Sequence, residues 1–251
     1  MRARSPISAG EMISRHCSNQ WNTGFSCSEL SWAAVVSNSA LERVAFLHIS
    51  RGPLKLGEKG VAGTDHGHFN LPAGITFLPD GSFYIADGYR NTRVIKFDAN
   101  GKFQLEWGSK GTEPGEFNLV HSVAVDATRR VFVADRSNNR IQIFDAQGKF
   151  LEQWQHIPQP AYLLIAADNK SLWVASNGAD RIAKYDMQGV LQTYWGVHGT
   201  LPGWITNFHN FAVDPSGVLY VADAFNNRVQ KFVPRAGADR SRLVDQPLVL
   251  Q

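Results

Sequence analysis

Phe117 to Trp154, FNLVHSVAVDATRRVFVADRSNNRIQIFDAQGKFLEQW, decides the fold, because its internal spacing recurs upstream and downstream. Val123–Val125, Val131–Ala134, Ile141–Phe144 and Phe150–Trp154 are short runs of β-branched and aromatic residues. Between them lie turns at Asp126–Arg130, Asp135–Arg140 and Asp145–Lys149, each opened by Asp and rich in residues that accept turn geometry. This pattern predicts four short antiparallel strands, one small twisted sheet whose faces are buried only when it stacks on copies of itself.

A clear copy precedes it at Phe69–Trp107, FNLPAGITFLPDGSFYIADGYRNTRVIKFDANGKFQLEW. Shorter copies follow at Ala161–Trp195 and Phe208–Phe232, and Asn177 stands near the place of the turn Asp in the first of these. A weaker copy begins at Trp32, with Val35-Val36-Ser37 in the place of Val-Ala-Asp and Val44–Phe46 as its third strand. Arg93, Arg140, Arg181 and Arg228 recur just ahead of each third strand and are expected to tie turns to neighbouring blades. Radial repetition of this kind predicts an all-β protein, a β-propeller of four-stranded antiparallel blades with five recognisable copies over 32–251. Residues 1–31 show no period and are expected to be irregular. Closure is open at this stage. Residues 1–31 supply extra strands, Pro247–Gln251 completes a blade, or the ring closes with five.

Composition fits one globular body: 251 residues, 43% hydrophobic and 19% charged. A net charge of +3 lacks the concentrated positive field of a dedicated nucleic-acid binder. No run is long and apolar enough to span a bilayer and 1–16 lacks the apolar core of a signal peptide, so the expectation is a soluble chain of undetermined compartment. Cys17 and Cys27 give no disulfide framework.

The chemistry is sought where the repeat is broken. His121 lies 14 before Asp135 and His209 lies 14 before Asp223, so both occupy the slot that opens the inner strand, while the copy at 69–107 has Ala73 there. Imidazoles in alternate blades face each other across the axis, an arrangement suited to a metal such as zinc. The other reading is two channel-lining histidines bonded to water or backbone. The same spacing in the first copy gives Thr23, so a third ligand from that blade would have to be His16 on an inserted loop. His66, His68, His156 and His198 lie in connections and are expected at the surface. Tyr89 interrupts a turn that needs only polar residues, and Arg136 directly follows Asp135. A phenol and a guanidinium above a metal suit proton abstraction from an alcohol and anchoring of a carboxylate.

Val-Ala-Asp-x-x-Asn-Asn-Arg (133–140 and 221–228) and Gly-Lys-Phe-x-x-x-Trp (101–107 and 148–154) resemble NHL repeats over 69–232. Tyr89, His121, Arg136 and His209 further resemble the site of the lyase domain of the peptidylglycine α-amidating enzyme, a six-bladed propeller of this type. The resemblance implies cleavage of a peptidyl-α-hydroxyglycine C–N bond to a peptide amide and glyoxylate. It assigns Tyr89 as base, Arg136 as an active-site residue, His121 and His209 as zinc ligands, and calcium as a structural ion. The pattern departs from that family in three places. A first blade with its extra Arg has no counterpart ahead of residue 32, and Asn207 and Asn210 replace a Met and a calcium-binding Asp; Asn210 retains a carbonyl for calcium but no charge. The expected partner is a small peptide or amide-like substrate at the channel mouth. The rival is a non-catalytic propeller that recruits a protein, or an RNA if Arg90, Arg129, Arg130 and Arg136 make one continuous positive face.

Overall fold

The computed structural model describes the backbone of 32–36, 45–49, 52–58 and 60–250, with side chains from 54 onward in those ranges. Residues 1–31, and with them His16 and both cysteines, lie outside the described residues. The first sheet comprises β1 (Trp32–Val36), β2 (Ala45–Ile49) and β3 (Gly52–Leu56), and the second β4 (Gly74–Phe77), β5 (Phe83–Asp87), β6 (Arg93–Phe97) and β7 (Phe103–Trp107). A parallel pair, β8 (Ser109–Lys110) and β9 (Glu116–Phe117), leads to the third sheet: β10 (Val120–Val125), β11 (Val131–Asp135), β12 (Arg140–Phe144) and β13 (Phe150–Trp154). The fourth holds β14 (Pro160–Ile165), β15 (Ser171–Ser176), β16 (Arg181–Asp186) and β17 (Leu191–Trp195), and the fifth β18 (Asn210–Val213), β19 (Leu219–Asp223) and β20 (Arg228–Phe232). Within each of the five sheets sequence neighbours pair in order, so each is an antiparallel meander, and the inner strands β4, β10, β14 and β18 stand side by side.

The core lies between blades. Along β11 the side chains alternate, Phe132 and Ala134 packing toward the fourth blade with Leu163 and Val174, Val131 and Val133 toward the second with Tyr84 and Val94. Every residue of β11 is buried, which is why the strand reads as a continuous apolar run and not as in–out alternation. Trp107 and Trp154, each ending an outer strand, lie flat against the next blade's turn. A Cβ on Gly148 would come within 2.8 Å of the Trp107 ring, and one on Gly189 within 2.6 Å of Trp154. Leu54 and Leu56 of β3 touch Gly101 in the same way. That contact makes β3 the outer strand of the first blade, and β1 and β2 its second and third. The third strand of that copy is described over Ala45–Ile49, longer than the expected 44–46, of which residue 44 lies outside the described residues. Leu56 pairs with Ala45 as Trp107 pairs with Val94, and Val36 with Ala45 as Ala86 with Val94, so Val36 answers to the Ala of Val-Ala-Asp as expected, while residue 37 lies outside the described residues.

The recurring arginines are structural. Arg140 Nε donates to fully buried Asp135, and its other nitrogens reach the carbonyls of Thr112, Glu113 and Glu116 in the connection ahead of its own blade. Asn138 also donates to Asp135, which accepts the N–H of Asn118 on its other oxygen. The same network joins Asp87, Asn91, Arg93 and Asn70, and again Asp223, Asn226, Arg228 and Thr206. These ion pairs, buried in the second and third blades and partly exposed at Arg228, fasten turns to the connections between blades and not, as expected, to the neighbouring blades. In the fourth blade Ser176, not Asn177, pairs with the Arg at the closing position; Arg181 has no carboxylate there and lies exposed over the Tyr194 ring.

Pro247–Leu248 does not add a fourth strand to the fifth sheet. Leu248 N–H donates to Ile165 O and Ala167 N–H to Gln246 O, so the segment crosses the far end of β14. There it floors a channel cavity of about 120 Å³ whose walls include Thr76, Val123 and Tyr162. Arg90 and Arg136 follow β5 and β11 at one end of the blades, whereas Arg129 and Arg130 precede β11 at the other, so the four do not make one continuous positive face. Among the described residues no helix is long and apolar enough to cross a membrane.

Candidate active site at the channel mouth

A backbone bulge at the start of the inner strand in the third and fourth blades sets the site. In the β10–β11 ladder Val120 faces Asp135 and Ser122 faces Ala134, leaving His121 as the extra residue of a bulge. Ala161 is the extra residue between Pro160 and Tyr162. Ala73 and His209 immediately precede β4 and β18 and donate their N–H groups to Ala86 O and Ala222 O. Ala73, His121, Ala161 and His209 therefore share one slot, and among the described residues only the third and fifth blades fill it with imidazole. The bulge also explains why β10 begins at Val120, three residues before the apolar run expected from sequence.

The two rings meet, with Nε2 of His121 and Nε2 of His209 3.2 Å apart. Two nitrogens on one tetrahedral zinc, each bonded at about 2.0–2.1 Å, stand about 3.3 Å apart, so the spacing suits a shared cation. His121 Nδ1 lies 2.6 Å from the carbonyl oxygen of Ala161, which can only accept; the ring's proton is therefore on Nδ1, and Nε2 presents a lone pair to the channel. Burial, then His209 and Arg136, depress the His121 pKa to about 3. Burial and Arg136 bring His209 to about 4. Both rings are neutral near pH 7, the form that ligates metal. Among the described residues no group of three or more His, Cys, Asp or Glu is placed to hold a metal, so a third protein ligand is not supplied there.

Tyr89 completes the cluster. Its hydroxyl lies 2.8 Å from His121 Nε2 and 3.0 Å from His209 Nε2. The second blade reaches this point because its turn is one residue longer, Asp87 to Arg93 against Asp135 to Arg140, and because Gly88 lets the turn press onto β10. A Cβ on Gly88 would lie 1.7 Å from Val120 O. Burial raises the Tyr89 pKa, and the charge and hydrogen bond of Arg136 oppose that rise. Arg136, half-buried, also donates through Nη2 to Asn177 Oδ1 at 3.1 Å.

The structure thus brings together Tyr89, His121, Arg136 and His209. Asn210 sits at the start of β18 with its Oδ1 accepting the Phe211 N–H at 2.7 Å, so the carbonyl expected to face calcium is engaged by backbone. His66, His156 and His198 are exposed and His68 is half-buried against Asp65. Asn177 is the site residue that sequence reasoning missed as such; its signal is that it occupies the slot of Arg136 one blade later, first in the turn that follows the second strand.

A family model described as a 6-bladed beta-propeller matches residues 72–188. Over 216 residues the chain is 31% identical to peptidyl-glycine alpha-amidating monooxygenase A of Xenopus laevis, an alignment covering 75% of this chain and 22% of that protein. It is 30% identical over 193 residues to a Caenorhabditis elegans protein named "Probable peptidyl-alpha-hydroxyglycine alpha-amidating lyase", covering 70% of this chain and 53% of that one. It is 34% identical over 199 residues to human NHL repeat-containing protein 3, with 71% and 55% covered. The chain spans about a fifth of the frog protein and about half of the other two. Repeat, sheet topology and relatives agree that the chain is an NHL-repeat β-propeller related to the peptidylglycine α-amidating proteins.

Proposed function

We propose that the channel mouth is the active site of a metal-dependent carbon–nitrogen lyase acting on a peptidyl-α-hydroxyglycine or a close amide-like analogue. The observation that carries this reading is the convergence of two neutral imidazole nitrogens and a phenol within 3.2 Å, with a guanidinium beside the phenol. His121 and His209 would hold the ion, and zinc suits the donor set. When bound, zinc supplies Lewis-acid polarisation of a substrate oxygen.

The protein's own groups account for the remaining steps. Arg136 anchors the substrate carboxylate, which orients the α-carbon toward the imidazole pair. Tyr89, as phenolate, accepts the hydroxyl proton; the carbonyl of glyoxylate forms as the C–N bond breaks, the electron pair leaves on nitrogen, and the Tyr89 phenol returns its proton to that nitrogen, which yields the amide and restores the phenolate. The phenol is a weak acid in this buried place, so its base form depends on positive charge close by, of which Arg136 is one source.

Metal content and turnover test the reading. Purified protein reconstituted with zinc is expected to hold one ion per chain, to release glyoxylate from a peptidyl-α-hydroxyglycine, and to lose both properties on His121→Ala. A second reading, a non-catalytic binding module, draws on the identity to NHL repeat-containing protein 3 and on the exposed apolar Phe225, Val229 and Val233 of the fifth blade. Folded protein that takes up no zinc and releases no glyoxylate decides for that module.

A further inference from the structure

We infer that Asn177 is a positioning residue of this site, setting the guanidinium of Arg136 and the strand entry that carries His209 at the same time. The inference rests on the lyase reading for its effect on turnover, and on geometry alone for its effect on Arg136.

Asn177 is 4% exposed, and both ends of its carboxamide are used. Oδ1 accepts from Arg136 Nη2 of the third blade at 3.1 Å, and Nδ2 donates to the carbonyl of Phe208, the residue before His209, at 2.9 Å. One side chain from the fourth blade therefore joins the third to the fifth, across the mouth where the imidazoles meet. Its own backbone is fixed as Arg136 is fixed one blade earlier: Asn177 N–H donates to Gln159 O and Arg136 N–H to Leu119 O. Asp180, in the same turn, accepts the N–H of Asn207, so the turn grips the approach to His209 at two successive residues.

The fold does not need a carboxamide in this slot. Ala224 opens the corresponding turn of the fifth blade, and Gly88 follows the closing Asp of the second. The amide is also matched to its two partners in a way that few side chains allow. Arg136 requires an acceptor and Phe208 O requires a donor, and at this depth either group left unpaired is costly. A free guanidinium on a long flexible stem would sample many rotamers, whereas one held by Asn177 and adjacent to Tyr89 is pre-set for a carboxylate arriving above the metal pair.

Asn177→Leu, near in volume and without polar atoms, and Asn177→Asp, which keeps the acceptor for Arg136 but loses the donor, separate the two ties. Expected for Asn177→Leu is a rise of about tenfold to a hundredfold in KM for the peptidyl-α-hydroxyglycine and a similar weakening of glyoxylate binding. At saturating zinc Asn177→Asp is expected to stay within about threefold of the parent in both, and to bind zinc about tenfold more weakly, because Phe208 O then faces a carboxylate oxygen and no longer holds the His209 entry. In parallel, nitrogen-15 spectra of the Arg136 side chain should show hindered guanidinium rotation in the parent and in Asn177→Asp, and free rotation in Asn177→Leu. An unchanged Arg136 spectrum in Asn177→Leu overturns the inference, as does an Asp variant as impaired in substrate binding as the Leu variant. Release of the guanidinium in Asn177→Leu from a parent that makes no glyoxylate removes the lyase reading and leaves the positioning role standing.

Discussion

Gly88→Ala tests how the second blade delivers Tyr89 to the imidazoles. The added Cβ would sit 1.7 Å from Val120 O, 2.4 Å from Val120 C and 2.6 Å from Val120 N. Ordinary carbon–oxygen contact is more than 3 Å, so the turn and β10 must separate by roughly 1.5 Å, and the contact is with backbone that has no rotamer to yield. Val120 adjoins His121, and Tyr89 follows Gly88, so that separation acts directly on the 2.8 Å contact between phenol and imidazole. Overpacking of this kind costs about 1–3 kcal/mol, which for a protein of this size lowers the melting temperature by about 2–10 °C. A displacement near 1 Å at a reacting group costs on the order of a hundredfold in rate. Calorimetry with and without zinc, together with glyoxylate release, measures both effects. The expected outcome is a modest loss of stability with a large fall in kcat and little change in zinc content, since neither imidazole is replaced. Parental melting temperature and turnover in Gly88→Ala would refute the close approach of the DGYR turn to β10.

The remaining expectations concern the scaffold and its response to acid. Asp135→Ala leaves Arg140 buried without its carboxylate and strips acceptors from Asn118 N–H and Asn138, so a loss of about 3–5 kcal/mol is expected in urea unfolding; Arg181→Ala, exposed and without an ion pair at that position, should cost less than about 1 kcal/mol. Equal losses in the two variants would sink the distinction between them. The two imidazoles, neutral in the fold with pKa values depressed to about 3 and about 4, take up protons in the unfolded chain near the ordinary histidine value of 6.5. Stability of metal-free protein is therefore full above pH 6.5 and lost as pH falls toward the folded values; at pH 5 His121 alone accounts for about 2 kcal/mol. A His121→Gln, His209→Gln variant should lose much of that slope between pH 7 and 5, and an unaltered slope would contradict it.

The repeat made the fold legible because a propeller blade writes itself as turn residues at fixed offsets. Asp135, Asn138 and Arg140 recur as Asp223, Asn226 and Arg228, and all six enter the same buried network. The two histidines were legible for the same reason, as departures at one offset. The first blade kept its register although Val35-Val36-Ser37 lacks the Asp that marks where the second strand closes, since Val36 pairs with Ala45, and Ala45 with Leu56, as Ala86 pairs with Val94 and Val94 with Trp107. In the fourth blade Ser176 stands for Asp and Asn177, near that place in the sequence, is the next residue, and nothing in the repeat signals its bonds to Arg136 and Phe208. Those bonds join residues 41 and 31 positions away, and no local period reports such pairs.

A division of labour within the repeat explains why the site residues fall where they do. Where a blade keeps the Asp–Asn–Arg network, the turn's polar groups are consumed internally, and what remains free is the residue just after Asp. That residue is Arg136 in the third blade and Ala224 in the fifth; in the second it is Gly88, small enough to pass Tyr89 forward; in the fourth, where Ser176 replaces Asp, it is Asn177. All four positions sit at the same end of their blades, next to the slot that holds Ala73, His121, Ala161 and His209. Two rings of positions, one after the second strand and one before the inner strand, are thus released from fold-making by the network itself. Gly88 apart, whose turn has no room for a Cβ against Val120, substitution there changes chemistry at the mouth while the inter-blade core, built from the alternating residues of the second and third strands, is untouched. Exchanging Ala224 for Asn is the corresponding test of that independence: the residue opens an exposed turn with no buried side chain in it, so the variant should fold with parental stability. A cooperative loss of more than about 2 kcal/mol on that exchange would mean that the slot is part of the core after all.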